Sequence, residues 1–207
     1  SLLDHCVGEI VQTLKDEGIY DDTLILFTAD HGEMLGSHRL WQKMCNYQES
    51  IRVPLLFKLP KSLQAADTSG CTSEALVSHI DIVPTLCDLL HLEKPAQLSG
   101  RSLVPDLTGQ PVPEDRDIFV QYDGNGAYGN FSRAILRQRA GEPLWKLNVD
   151  AFKDETCAEL FNLSDDPQEM HNCLKAHPAQ AAELMTALAA HMQRTGDLLE
   201  LDPTRIL

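Results

Sequence analysis

Leu2, Leu3, Cys6, Val7, Ile10, Val11 and Leu14 recur at spacings of three and four, which predicts an amphipathic helix over residues 1–17, stopped by Gly18. The pattern then changes. After a turn at Tyr20-Asp21-Asp22, Thr23-Leu24-Ile25-Leu26-Phe27-Thr28 is a nearly unbroken apolar run, and Val53-Pro54-Leu55-Leu56-Phe57-Lys58 is a second, closed by Pro60. Runs of this kind predict strands buried on both faces of a parallel sheet. Residues 29–50 between them are polar, glycine-punctuated and longer than a simple connection, so they are expected to be functional or tied down by a ligand.

A polar loop spans residues 61–73, and Asp81 is placed to cap a helix over 82–91, with Pro84 tolerated in the first turn. Residues 93–116 hold four prolines and predict an irregular connection. Strands are predicted near 117–122, 132–138 and 143–149, with Asp123-Gly124-Asn125-Gly126 between the first two. A last helix begins at Pro178 and keeps Ala181, Leu184, Met185, Leu188, Ala189 and Met192 on one face. The expected organisation is an α/β part over 1–114 and a smaller α+β subdomain over 115–207, with antiparallel strands and a C-terminal helix. The opening residues already read as mid-helix, so the chain is expected to be a fragment.

Composition narrows the function classes. Of 207 residues, 43% are apolar and 23% charged, as in a soluble globular protein. The formal charge of -14 (17 basic against 31 acidic residues) argues against nucleic-acid and membrane-surface partners. Cys6, Cys45, Cys71, Cys87, Cys157 and Cys173 show no CxxC pairing. Cys6, Cys45, Cys87 and Cys157 are expected to pack as small apolar residues, and free thiols favour a reducing, cytoplasmic setting slightly over a periplasmic or secreted one. No apolar run reaches the roughly 18 residues that a bilayer span needs.

The chemistry centres on Asp30-His31-Gly32, directly after the first apolar run, where open α/β sheets bind ligands. Adjacent Asp and His reach one cation only if the chain turns, and Gly32 permits that turn. One hard oxygen and one imidazole nitrogen suit Ca²⁺, Mg²⁺, Mn²⁺ or Zn²⁺ when other ligands complete the shell. A bare Asp-His pair is more often a turn cap beside an ordinary loop histidine. Lys43, taken alone, would be a solvated loop cation.

The surrounding string changes that balance. Thr28-Ala29-Asp30-His31-Gly32-Glu33-Met34-Leu35-Gly36-Ser37-His38-Arg39-Leu40-Trp41-Gln42-Lys43, continuing to Arg52-Val53-Pro54-Leu55, strongly resembles the sulfatase family of the alkaline-phosphatase-like superfamily. Asp81-Ile82-Val83-Pro84-Thr85-Leu86, Gly100-Arg101-Ser102-Leu103-Val104-Pro105 and the block Glu159-Leu160-Phe161-Asn162-Leu163-Ser164-Asp165-Asp166-Pro167-Gln168-Glu169 resemble further family segments, in the family's order. The resemblance implies the C-terminal part of an alkaline-phosphatase-like α/β sandwich. It implies that Asp30 and His31 ligate a divalent cation, usually Ca²⁺ and sometimes Mn²⁺ in related phosphonate hydrolases. It also implies that Lys43 contacts the sulfate and leaving-group oxygen, where charge develops as sulfur is attacked.

His38 is a further catalytic candidate beside Arg39, although a polar loop surface explains both equally well. Trp41 is expected to pack, Arg52 to form a buried ion pair, and the block from Glu159 to Glu169 to be a structural turn. Asn125, Tyr128 and Arg133 are weak candidates for a substrate rim. Family members use a formylglycine made from the Cys or Ser of a C/S-x-P-S/A-R signature, and none of the six cysteines has that context. The formylglycine and the remaining metal ligands are therefore expected upstream, in the N-terminal part of the same protein, and this chain alone is expected to be inactive. The expected substrate is a small-molecule or saccharide sulfate ester. Alternatives are a phosphonate or phosphate monoester, or a non-catalytic binding module that kept the fold.

Overall fold

The computed structural model describes residues 1–64, 70–112, 115–124, 130–152, 155–197, 199 and 201. In chain order its elements are α1 (Leu2–Asp16), β1 (Ile25–Thr28), α2 (Gln48–Ile51), β2 (Leu55–Lys58), α3 (Ile82–Leu89), α4 (Val104–Leu107), β3 (Arg116–Tyr122), β4 (Asn130–Gln138), β5 (Trp145–Phe152), β6 (Glu155–Asn162) and α5 (Pro178–Thr195). They fall into two compact units, residues 1–29 with 54–112, and residues 30–53 with 113–207. The architecture is mixed α/β with antiparallel sheets and a C-terminal helix; the sequence pattern implies the helix and the antiparallel strands of the C-terminal part.

In the first unit, Ser1 caps α1 by accepting the Asp4 N–H at 3.2 Å. The predicted apolar stripe is present but faces outward: no α1 residue is buried, and Leu2, Leu3 and Ile10 are 79%, 64% and 63% exposed. Strands β1 and β2 pair antiparallel, with Ile25 opposite Lys58 and Thr28 opposite Leu55. Neither strand has a fully buried residue. This corrects the expectation of a parallel sheet covered on both faces. An unbroken apolar run marks a strand but says nothing of the direction of the partner strand.

Asp81 is buried, but its side chain does not cap α3. Its carboxylate accepts the Ser78 N–H at 2.8 Å and the Arg101 N–H at 2.9 Å. Thr85 in turn accepts the Leu103 N–H at 2.8 Å. A Cβ at Gly100 would lie 1.9 Å from the Ile80 carbonyl oxygen, so only glycine fits this approach. The two sequence blocks around Asp81 and Gly100 thus interlock to tie down a connection rich in proline.

The second unit is a four-stranded meander, β3-β4-β5-β6, antiparallel throughout. Side chains alternate across it. Ile135, Leu147, Val149 and Leu160 form one core with Ala181, Leu184, Met185, Leu188 and Met192 of α5. Strand β6 was not expected, because its first three residues, Glu155-Thr156-Cys157, are exposed and carry no apolar alternation. Arg133, expected at a substrate rim, is instead buried and held by Asp197 at 2.6 Å and Asp123 at 2.6 Å.

This pair makes folding acid-sensitive. The Arg133 guanidinium bonded to Asp197 holds its carboxyl below the usual aspartate range. Its folded-state pKa is depressed, so the stabilisation is complete above about pH 4 and disappears as pH falls below that range. Asp197→Ala is expected to cost on the order of 3 kcal/mol at pH 7, because it leaves a buried cation short of one partner. Urea midpoints measured from pH 7 to pH 3 should converge for wild type and variant on the acid side.

Of the four cysteines expected to pack as apolar residues only Cys87 is buried: Cys45 is half-buried, while Cys6 and Cys157 are exposed. That corrects the expectation that all four do so. Among the described residues no helix is long and apolar enough to cross a membrane.

Candidate active site

Asp30, His31 and Lys43 come together because the chain doubles back between them. Gly32 donates its N–H to the Ser50 carbonyl at 2.8 Å, and a Cβ there would lie 1.9 Å from the Glu49 carbonyl oxygen. The returning loop is pinned by Met34 N–H to Gln42 O at 3.0 Å and by Gln42 N–H to the Glu33 carboxylate at 2.5 Å. Met34 is buried beneath it. Leu35, His38, Arg39 and Gln42 all take positive φ (45°, 50°, 61° and 68°). Left-handed non-glycine residues cost energy and persist where surrounding contacts over-determine them, often at functional sites.

At the end of this loop Lys43 Nζ stands 2.5 Å from His31 Nε2, and Asp30 Oδ2 lies 3.4 Å from the same nitrogen. His31 Nδ1 is 2.7 Å from the Gly32 carbonyl oxygen. A carbonyl only accepts and an ammonium only donates, so Nδ1 carries the proton and Nε2 presents its lone pair. Asp30 Oδ1 accepts the His31 N–H at 3.0 Å, and its side chain is 85% exposed. That N–H, with help from the His31 ring and Lys43, holds the Asp30 carboxyl below the ordinary aspartate range.

The donor set fits a divalent cation. Two ligands at about 2.1–2.4 Å from one cation, at roughly a right angle, stand about 3.3 Å apart. The carboxylate is ionised, the imidazole tautomer is fixed by a backbone acceptor, and Nε2 already faces positive charge. Among the described residues no group of three or more His, Cys, Asp or Glu side chains forms a complete ligand set. Asp30 and His31 would supply two ligands and not a whole shell.

His38 is held elsewhere. Its ring stacks on Tyr47 with centroids 4.0 Å apart and an angle of 6°, and its Nε2 lies 3.8 Å from Glu49 Oε1. Arg39 and Arg52 are exposed, and Arg52 forms no ion pair among the described residues, contrary to expectation. Trp41, expected to pack, is 70% exposed. Asn125 and Tyr128 lie outside the described residues.

Sequence reasoning missed the residues that hold the loop. Tyr47 donates to Glu159 Oε2 at 2.8 Å, Asn46 Nδ2 donates to Ser132 Oγ at 2.7 Å, and the Gln48 N–H reaches Glu169 Oε2 at 2.6 Å. Lys146, fully buried, bonds Glu169 Oε1 at 2.5 Å and the Asn46 carbonyl. Burial draws Lys146 below the ordinary lysine range, with Glu169 working against it. The available signal was a lysine inside the strand Trp145-Lys146-Leu147-Asn148-Val149, where a charge needs a partner.

Residues 36–197 match the family described as N-sulphoglucosamine sulphohydrolase, C-terminal. The chain is 30% identical over 187 residues to arylsulfatase K of Xenopus laevis, covering 87% of this chain and 33% of that protein. It is 35% identical over 175 residues to choline-sulfatase of Rhizobium meliloti, covering 83% of this chain and 31% of the relative. It therefore spans about a third of the length of these relatives. Among solved structures, one determined in complex with its substrate D-glucosamine-2-N,6-O-disulfate aligns with TM-score 0.78 and 27% identity, over 94% of this chain and 39% of that one. A phosphonate monoester hydrolase from Silicibacter pomeroyi aligns with TM-score 0.70 and 30% identity, over 92% and 38% respectively. The ordered sequence blocks, the sheet-and-helix fold and these matches together place the chain in the sulfatase family, as its C-terminal part.

Proposed function

We propose that this chain carries the metal-and-lysine side of a sulfate-ester hydrolysis site. The observation that carries the reading is the convergence of Asp30 Oδ2, His31 Nε2 and Lys43 Nζ across a twelve-residue loop. Asp30 and His31 would hold a divalent cation, Ca²⁺ or Mn²⁺, with the Gly32 carbonyl keeping His31 in the ligating tautomer. The bound cation supplies positive charge to the sulfuryl oxygens. Lys43 donates a hydrogen bond to the ester and steadies the negative charge that builds on the departing oxygen. His38 serves the loop through Tyr47 and Glu49 and does not act on the ester.

No cysteine of this chain has the formylglycine context, so the nucleophile and the remaining ligands are assigned to other residues of the same protein. The exposed apolar stripe of α1 and the one-third coverage of relatives support further protein packing against the first unit. In this reading residues 1–114 belong to the catalytic α/β domain and 115–207 form its C-terminal subdomain. The disulfated glucosamine in a related structure supports a sulfated saccharide as the substrate class. The Silicibacter pomeroyi relative supports a second reading, phosphonate monoester hydrolysis on the same residues.

Nitrophenyl sulfate and a nitrophenyl phosphonate ester, assayed in parallel with the intact protein, separate the two. The sulfate is expected to turn over faster, and Lys43→Ala to lower its kcat/KM by about 10²-fold. A preference for the phosphonate establishes the second reading, and turnover of neither removes both.

A further inference from the structure

The four-stranded sheet has two unlike faces. One packs on α5; the other presents Ser132, Lys146, Asn148, Asp150 and Glu159, which the register of β4, β5 and β6 sets on the same side. Lys146, Ser132 and Asn148 on this polar face are buried, so something covers them. The cover is the segment that follows Lys43. Asn46, Tyr47 and Gln48 each bond to a group on or beside this face, and the charged pair of Lys146 and Glu169 supplies two of those bonds, one to the Asn46 carbonyl and one from the Gln48 N–H.

From there the connection runs through hydrogen bonds to the site. Ser50 follows within α2, donates its hydroxyl to the Lys43 carbonyl at 2.8 Å, and accepts the Gly32 N–H at 2.8 Å. Gly32 carries the carbonyl that fixes His31. Tyr47, bonded to Glu159, also supplies the surface on which His38 stacks.

We propose that Lys146 and Glu169 are positioning residues: a buried clamp that sets the register of residues 46–48 and thereby the relative placement of Lys43 and His31. A buried ion pair is a poor stabiliser, since well-packed apolar residues of similar volume often serve the fold equally well. What apolar residues cannot supply is a donor for the Asn46 carbonyl and an acceptor for the Gln48 N–H, both held within protein. The pair's contribution therefore lies in where the loop sits. The clamp matters to catalysis only if residues 30–43 form the site proposed above, but its physical content does not depend on that reading.

The test replaces both partners at once, Lys146→Met with Glu169→Leu, in the intact protein, and follows native-state hydrogen exchange and the ¹⁵N resonances of His31. The expected result is a folded protein in which the Gly32, Gln48 and Arg52 amides exchange at least 10-fold faster, while Ile135, Leu147 and Leu160 change less than twofold. The His31 Nε2 resonance, which reports the Lys43 bond, is expected to move. Unchanged loop amides, or equal acceleration of loop and sheet, would overturn the clamp. If the double variant does not fold, Glu169→Gln takes its place, since an amide has one oxygen and cannot replace both carboxylate oxygens that accept from Lys146 and from the Gln48 N–H; a threefold or greater loosening of the same loop amides is then expected, and no loosening refutes the proposal. These measurements need no substrate or metal, so failure of the ester assays and failure of the clamp are separately visible.

Discussion

Asp30→Ala in the intact protein is expected to lower kcat/KM for a nitrophenyl sulfate by about 10³-fold while leaving the thermal midpoint nearly unchanged. The two halves of this expectation have separate causes. The Asp30 side chain is 85% exposed and its partners are the backbone N–H and ring of the next residue, so folding loses little when it is removed. In the proposed site the cation would lose the one carboxylate that this chain supplies, leaving His31 as the sole ligand from this chain. Activity within threefold of wild type would take Asp30 out of the metal site.

Gly32→Ala is expected to do comparable damage by a different route. The added Cβ would sit 1.9 Å from the Glu49 carbonyl oxygen and 2.9 Å from its carbon. Both are backbone atoms, so no side-chain rotation relieves the overlap, and the strand of contacts through Ser50 must move by an ångström or more. The Gly32 N–H bond to Ser50 weakens, and the carbonyl that orients His31 shifts with it. Displacements of that size at a reacting centre cost about 10²-fold in rate. Steady-state kinetics with metal titration would register the loss as a fall in kcat together with weaker cation dependence. A variant with wild-type kinetics would mean that the loop absorbs the strain and that Gly32 is dispensable.

Much of this was legible in the sequence. The 3.6-residue period marked α1 and α5 to within a residue or two, because one continuous apolar face suffices to define a helix. The Asp30, His31 and Lys43 set was legible only through the ordered string around it; no spacing rule predicts that a loop with four left-handed non-glycine residues will return Lys43 to His31. The pairing direction of β1 and β2 was not legible, since apolar runs carry no direction. Nor was the outward position of Trp41 or the inward one of Arg133, which depend on partners far along the chain. The block from Glu159 to Glu169 looked like a structural turn, and a turn it is at Asn162 to Glu169. Its end carboxylates nevertheless hold Tyr47 and Gln48, more than a hundred residues upstream.

That last arrangement limits how the molecule can be divided. Residues 30–53 group with the C-terminal sheet and not with the strands that flank them in sequence. A cut in the proline-rich connection would yield a piece containing Asp30, His31 and Lys43 but without Ser132, Lys146, Glu159 and Glu169, the surface against which their loop is cast. The candidate ligands and their mould are inherited together, so the smallest portable form of this proposed half-site is close to the whole chain.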